Sequence, residues 1–226
     1  MDVPPLGLRR MPKRRPHLLR GSLFFLAIVG VSVGLLTSPL FRHEAKATST
    51  PPSVYAAQLS ILNGIDTRGL NTTQLKIYTI AKQEFATHAT SYDATVMKYT
   101  QGTEESWCAD FVSWVRQAAG VPFVSPNNGS WRIPGVGTLQ AYFQSYNDYY
   151  QVGSYTPKMG DVAFYDDTTL SGDNTSHVAL VLGVEHGNLI TIGGNEGNNG
   201  TIQVRSDPLQ AGNLGLAGFG DSNLYQ

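Results

Sequence analysis

The sequence SWCADFVSWVRQAAG, residues 106–120, decides the fold prediction because it joins an amphipathic pattern to the only cysteine of the chain. Its apolar residues recur at helical spacing and form one face that can pack into a core. Ser106 is placed to cap the start of this helix, and Gly120 is placed to end it. Cys108 is therefore predicted in the first helical turn, where unpaired backbone N–H groups and the helix dipole favour a thiolate.

Charge divides the chain into two parts. The whole chain has 16 basic and 17 acidic side chains, of which residues 1–47 hold eight basic and two acidic ones, leaving eight basic and fifteen acidic ones beyond residue 47. An acidic folded part does not suit the phosphate backbone of a nucleic acid. No nucleic-acid partner is expected.

The basic N-terminus leads into an uncharged run over residues 21–41. Basic residues before an apolar stretch are typical of an export signal or of a membrane anchor. The small residues Ala45 and Ala47 suit cleavage by a signal peptidase near Ala47, whereas a run of about 20 residues can span a bilayer. We expect either a secreted protein or a single-pass membrane protein with an extracellular C-terminal domain, and we favour the uncleaved anchor.

The lone cysteine has two interpretations. Taken alone, Cys108 is more often a small buried residue of a core than a catalyst. An exported domain with one cysteine cannot form an internal disulfide, and that setting points towards an intermolecular bridge or a reactive thiol. The second consideration favours chemistry at Cys108.

The expected organisation is a basic cytoplasmic tail (1–21), a hydrophobic segment (22–41), a linker (42–70) and one domain (71–226) with its core at about 92–219. Within the domain, helical spacing gives way to alternation after Pro157. Helices are predicted at 54–62, 71–88, 106–120 and 138–146, and strands at 161–166, 177–185, 188–193, 201–205 and 214–219. Helices followed by a run of strands indicate an α+β fold, with helices packed on an antiparallel sheet.

A nucleophilic cysteine needs a general base, and histidine is the usual one. His17 and His43 lie before or beside the hydrophobic segment. His88 ends a predicted helix, and His186 sits in a predicted hairpin turn. His177 opens a strand directly after a polar loop, where a sheet can present a side chain to a cleft. We predict His177 as the base, the alternative being a hydrogen-bonded histidine at the rim.

A third group should hold the imidazole ring so that one nitrogen faces the sulfur. The next strand ends in GGNEGN, residues 193–198, at the sheet edge that it would share with His177. Asn195 is the first choice because its amide oxygen can accept from the ring N–H, and Glu196 is the second. A glycine- and asparagine-rich turn without a catalytic role is the remaining alternative. Gln101, in the loop before the cysteine, is a candidate donor to an oxyanion.

A metal site fits the sequence poorly, because it has one cysteine, scattered histidines and no HxxxH or CxxC spacing. No phosphate-binding or dinucleotide-binding glycine pattern follows a strand. We expect no cofactor.

The chain resembles the CHAP family of cysteine- and histidine-dependent amidohydrolases and peptidases. The resemblance rests on SWCADFVSWV, AGVPF, GDVAFY, HVALV and TIGGN, in that order. It implies a papain-like fold with Cys108 as nucleophile, His177 as general base and Asn195 as the residue that orients the ring. Many members of the family have a glutamate two positions before that asparagine, where this chain has Gly193.

The resemblance also implies hydrolysis of an amide bond in bacterial peptidoglycan, either between the sugar and the stem peptide or within the peptide. Peptidoglycan and a membrane are then the expected partners, and a monomer is expected. The alternative function is a cell-wall-binding or surface-interaction module with an inactive cysteine cleft.

Overall fold

The computed structural model describes residues 52–166 and 176–223. Within these ranges the helices are α1 (Pro52–Gly64), α2 (Thr72–Phe85), α3 (Met97–Thr100), α4 (Cys108–Ala118) and α5 (Val136–Ser145). The strands in the same ranges are β1 (Tyr149–Gln151), β2 (Val162–Asp166), β3 (Ser176–Glu185), β4 (Asn188–Glu196), β5 (Thr201–Pro208) and β6 (Leu216–Gly220).

The strands form one antiparallel sheet in the order β1-β6-β2-β3-β4-β5. A tight turn joins β3 to β4 through His186 and Gly187, both with positive φ, as the right-handed twist of a hairpin favours. The predicted α+β architecture, with helices and an antiparallel sheet, is confirmed. β1 was not predicted, since its three residues are too few to give a periodic pattern.

The cysteine helix α4 packs against β3 and β4 at the centre of the sheet. Phe111, Val112 and Val115 are fully buried on its inner face, and each such side chain contributes about 1.5–3 kcal/mol of hydrophobic stabilisation. The helix begins at Cys108, with Trp107 at the N-cap position and no capping hydrogen bond from that side chain. The prediction of Ser106 as the N-cap is therefore wrong, whereas Cys108 does occupy the first turn.

The helix α1 lies within the stretch predicted as a linker. Its Leu62 is fully buried, and its Tyr55 stacks on Phe85 of α2, so this part of the stretch packs against the helical layer. The predicted hydrophobic segment, residues 22–41, lies outside the described residues. Among the helices of the described ranges, none combines the length and the apolar character needed to cross a membrane.

Candidate active site

The start of α4 places Cys108 beneath the surface, with 3% of the residue exposed. The backbone N–H groups of Cys108 and Ala109 belong to the first turn, where an α-helix offers them no acceptor of its own. The fold therefore puts a thiol and two backbone donors at the positive end of a helix dipole.

His177 of β3 contacts this thiol. The contact is between the side chains of His177 and Cys108, and the Nε2 atom of His177 lies 2.8 Å from Oε1 of Glu196. Since Glu196 engages Nε2, the Nδ1 atom is the ring nitrogen left to face the sulfur. The His177 side chain is 27% exposed, so the buried thiol and the partly exposed ring form a pair at the edge of solvent.

The two neighbours of the ring decide its charge. Burial alone would lower the pKa of His177, but the contacts with Cys108 and with the Glu196 carboxylate outweigh it and raise the pKa to about 10. The imidazolium form is therefore favoured at neutral pH. An imidazolium held between a carboxylate and a sulfur suits a thiolate–imidazolium pair.

Glu196 reaches the ring through an irregularity in β4. The pairing of β4 with β5 shifts register between Gly193 and Glu196, and Asn195 within this bulge has a left-handed backbone with φ 58°. The second carboxylate oxygen, Oε2 of Glu196, lies 3.8 Å from Nη1 of Arg205 on β5. Its carboxylate therefore stands between the imidazole and a guanidinium.

The side chain of Asn195 has a different partner. Its Oδ1 atom accepts a hydrogen bond of 3.2 Å from Oγ of Ser91, and the same Ser91 oxygen accepts one of 3.0 Å from Nε1 of Trp107. Asn195 thus links the bulge of β4 to the residue before Cys108. The structure brings Cys108, His177 and Glu196 together, and it places the Asn195 amide against Ser91.

Gln101, the candidate oxyanion donor, is exposed and has a left-handed backbone with φ 54° at the end of α3. The long loop at residues 121–135 instead approaches the cysteine helix. Nε of Arg132 donates to Oδ1 of the fully buried Asp110 at 2.6 Å, and its guanidinium also pairs with Glu105. Arg132 therefore fixes the loop to the turn of α4 that carries the cysteine.

Three residues around the site were not identified from the sequence: Ser91, Arg132 and Arg205. Ser91 and Arg132 lie in irregular segments without a motif, and their contacts join positions far apart in the chain. Arg205 lies in the strand predicted at 201–205. Because side chains alternate along a strand, Arg205 is on the same face of the sheet as Gln203, the partner of Gly193, and this spacing was the available signal. Among residues 52–166 and 176–223, no group of three His, Cys, Asp or Glu side chains is arranged to hold a metal ion.

Comparison with protein families gives one match over this part of the chain. Residues 98–195 match the model of the CHAP domain. The matched range begins in α3, contains Cys108 and His177, and ends at Asn195, one residue before Glu196. No curated protein and no solved structure gave a significant match to the chain.

Proposed function

We propose that this protein hydrolyses an amide bond of bacterial peptidoglycan by cysteine nucleophilic catalysis, since residues 98–195 match the model of the CHAP domain. CHAP domains are generally cysteine- and histidine-dependent amidohydrolases or peptidases. The observation that carries the proposal is the contact of His177 with both Cys108 and Glu196. A nucleophile, a base and a group that orients the base are the parts that acyl transfer requires.

In the first step of the proposed mechanism, the Cys108 sulfur attacks the amide carbonyl carbon. The electron pair of the carbonyl moves to its oxygen, and backbone N–H groups at the start of α4 stabilise that oxyanion. The oxyanion then collapses, the C–N bond breaks, and the His177 imidazolium gives its proton to the leaving amine. A thioester on Cys108 remains.

In the second step, water hydrolyses the thioester. Neutral His177 takes a proton from the water as its oxygen attacks the carbonyl carbon, and the C–S bond of the resulting intermediate breaks. The products are a carboxylic acid and the regenerated thiolate–imidazolium pair. We assign the role of orienting the ring to Glu196, because its carboxylate is in hydrogen-bond contact with Nε2.

The same proposal includes a papain-like arrangement and export. A cysteine at the start of a helix that packs on an antiparallel sheet bearing the histidine supports the first. The basic and then uncharged N-terminal sequence supports the second. In this proposal the domain acts outside the cell, attached to the membrane by residues 22–41 or released by cleavage near Ala47.

The test is the release of soluble muropeptides from purified peptidoglycan by the full-length chain. Cys108→Ala should lower the rate by more than about a thousandfold, because the nucleophile is lost. Its folding should be unchanged by circular dichroism and thermal unfolding. A variant with near wild-type activity would reject the assignment. Mass spectrometry of the fragments would identify which amide bond is cut.

A second candidate function is a wall-binding module with an inactive cleft. The observation in its favour is the low exposure of Cys108, at 3%. Alkylation by iodoacetamide at about pH 6 separates the two, since a thiolate reacts there and a buried structural thiol does not react until the protein unfolds. Rapid modification of the folded protein would reject the inactive module.

A further inference from the structure

Gly193 lies inside β4, where a glycine needs an explanation. Glycine in the interior of a strand costs about 0.5–1 kcal/mol relative to alanine. Twelve glycines of the described residues have a positive φ that favours glycine, but Gly193 is not among them, and it pairs with Gln203 in the regular ladder of β4 with β5. The reason for a glycine at this position is therefore space and not backbone conformation.

The space beside Gly193 is occupied by the candidate site. A Cβ atom added to Gly193 would lie 2.4 Å from Oε1 of Glu196 and 3.1 Å from Nε2 of His177. The first distance is shorter than any non-bonded contact tolerates, and the second is tight. The carboxylate of Glu196 therefore lies where a side chain of residue 193 would begin.

The bulge in β4 brings Glu196 to this position. In a regular strand residues 193 and 195 point to one face of the sheet, and residues 194 and 196 point to the other. The register shift between Gly193 and Glu196 breaks this alternation. The left-handed Asn195, held by Ser91, turns the chain so that Glu196 reaches back over Gly193.

We propose that Gly193 is a positioning residue for the His177 ring. Because residue 193 has no side chain, the Glu196 carboxylate occupies the space beside it and is held against Nε2 of His177. The proposal rests on the proposed function only in its claim that orienting the ring supports catalysis. It also implies that a carboxylate carried by residue 193 itself can replace Glu196. An aspartate suits the space because its carboxylate oxygens lie about 2.4 Å from Cβ, the distance that separates the Cβ position of residue 193 from Oε1 of Glu196.

Several other charged or titratable groups lie near the Glu196 carboxylate and the His177 ring. A test of the role of Gly193 must leave these groups unchanged. Cys108 of α4 contacts the His177 ring. Arg205 of β5 lies beside the Glu196 carboxylate and is paired with Asp207 through its Nε atom at 2.9 Å. Tyr165 of β2 lies next to the His177 ring, with 6.1 Å between ring centroids. All of these groups stay unchanged in the variants below.

The first experiment is a double-mutant cycle with the pKa of His177 as its readout, measured on the full-length chain by NMR of the imidazole ring. Glu196→Ala should lower that pKa by about one unit or more, because an adjacent carboxylate favours the imidazolium. Gly193→Ala should lower it as well, since the added Cβ displaces the carboxylate. In the double variant Gly193→Ala with Glu196→Ala, the pKa of His177 should be no lower than in Glu196→Ala alone.

A matched control is Gly137→Ala in α5, where an added Cβ meets no atom within 4 Å and the pKa of His177 should not change. If the effects of Gly193→Ala and Glu196→Ala on the pKa simply add, the two residues act independently and the inference is overturned. Thermal unfolding of each variant separates a displaced carboxylate from a loss of folding. A change in stability without a change in the pKa of His177 would also overturn the inference.

The second experiment moves the carboxylate. Gly193→Asp combined with Glu196→Ala should restore the pKa of His177 to within about half a unit of the wild type, whereas Gly193→Ala with Glu196→Ala should not. Muropeptide release is measured in parallel, and the same pattern is expected there. If the pKa of His177 follows this pattern but the wild-type protein releases no muropeptides, the proposed function fails and the inference stands. If the wild type is active and the aspartate restores neither quantity, the inference fails alone.

Discussion

The Nε2 atom of His177 and the Oε1 atom of Glu196 lie 2.8 Å apart, although the two residues belong to different strands of the sheet. The contact requires that β4 depart from regular pairing just before Glu196. It sets the charge of the ring from one side while Cys108 sets it from the other. The bulge of β4 is therefore part of the site and not only a local irregularity of the sheet.

Glu196→Gln is expected to lower muropeptide release by roughly tenfold to a hundredfold, because a neutral amide no longer stabilises the imidazolium. Asn195→Gly is the matched comparison, since glycine retains the left-handed backbone and removes only the contact with Ser91. Its effect on the rate should be smaller. If Asn195→Gly were the more damaging of the two, Asn195 and not Glu196 would be the residue that orients the ring.

Cys108→Ala is expected to lower the pKa of His177, because the contact with Cys108 is one of the two that raise it to about 10. The remaining contact with Glu196 should still hold the pKa above that of a free histidine. NMR titration of the imidazole ring measures both values. An unchanged pKa in the variant would mean that the thiol and the ring do not interact in solution.

The sequence alone predicts the central elements α4 and β3, but it does not single out the residue that contacts the His177 ring from β4. Alternation along β3 and helical spacing along α4 are strong, regular patterns, and both elements lie within two residues of their predicted bounds. β4 was predicted to end at Gly193 because glycine and asparagine are rare in strands, yet the structure continues it to Glu196. A regular strand would have placed Asn195 on the face of Gly193.

The contact that stabilises the bulge is what local patterns could not reveal. Ser91 and Asn195 are 104 positions apart in the chain, and neither belongs to a motif that specifies the other. The same holds for Arg132 and Asp110, which join a loop without periodicity to the cysteine helix. The one local signal was Gly193 followed three residues later by Glu196, and the role of this glycine depends on the three-dimensional path of β4.

Gly194→Ala is expected to destabilise the protein by about 1–3 kcal/mol, the usual cost of an extra group in a packed core. Gly194 faces α4, and a Cβ there would lie 2.4 Å from Cζ3 of Trp107 and 2.7 Å from Cβ of Phe111. Gly193→Ala is the comparison on the opposite face, where the clash falls mainly on the end of a glutamate side chain. Urea unfolding measures both, and a larger loss for Gly193→Ala would contradict this assignment of faces.

Arg132→Met is expected to lower the free energy of unfolding by about 3–5 kcal/mol at pH 8, because it leaves the fully buried carboxylate of Asp110 without its cation. Arg68→Met is the matched control, since Arg68 pairs with Asp66 on the surface with both side chains largely exposed. That control should change the stability little. Urea unfolding of the wild type and both variants gives the comparison.

The loss in Arg132→Met should depend on pH in a defined direction. Burial raises the pKa of Asp110 from 3.8 to about 7, so the folded state favours the neutral carboxyl, whose stabilising contribution is complete below about pH 4 and is lost as the pH rises through 7. Without Arg132 to offset the buried charge, the variant should recover stability relative to the wild type as the pH falls from 8 to 5. If the difference in the free energy of unfolding between the wild type and Arg132→Met stayed constant from pH 8 to 5, Asp110 would not be the group left unpaired.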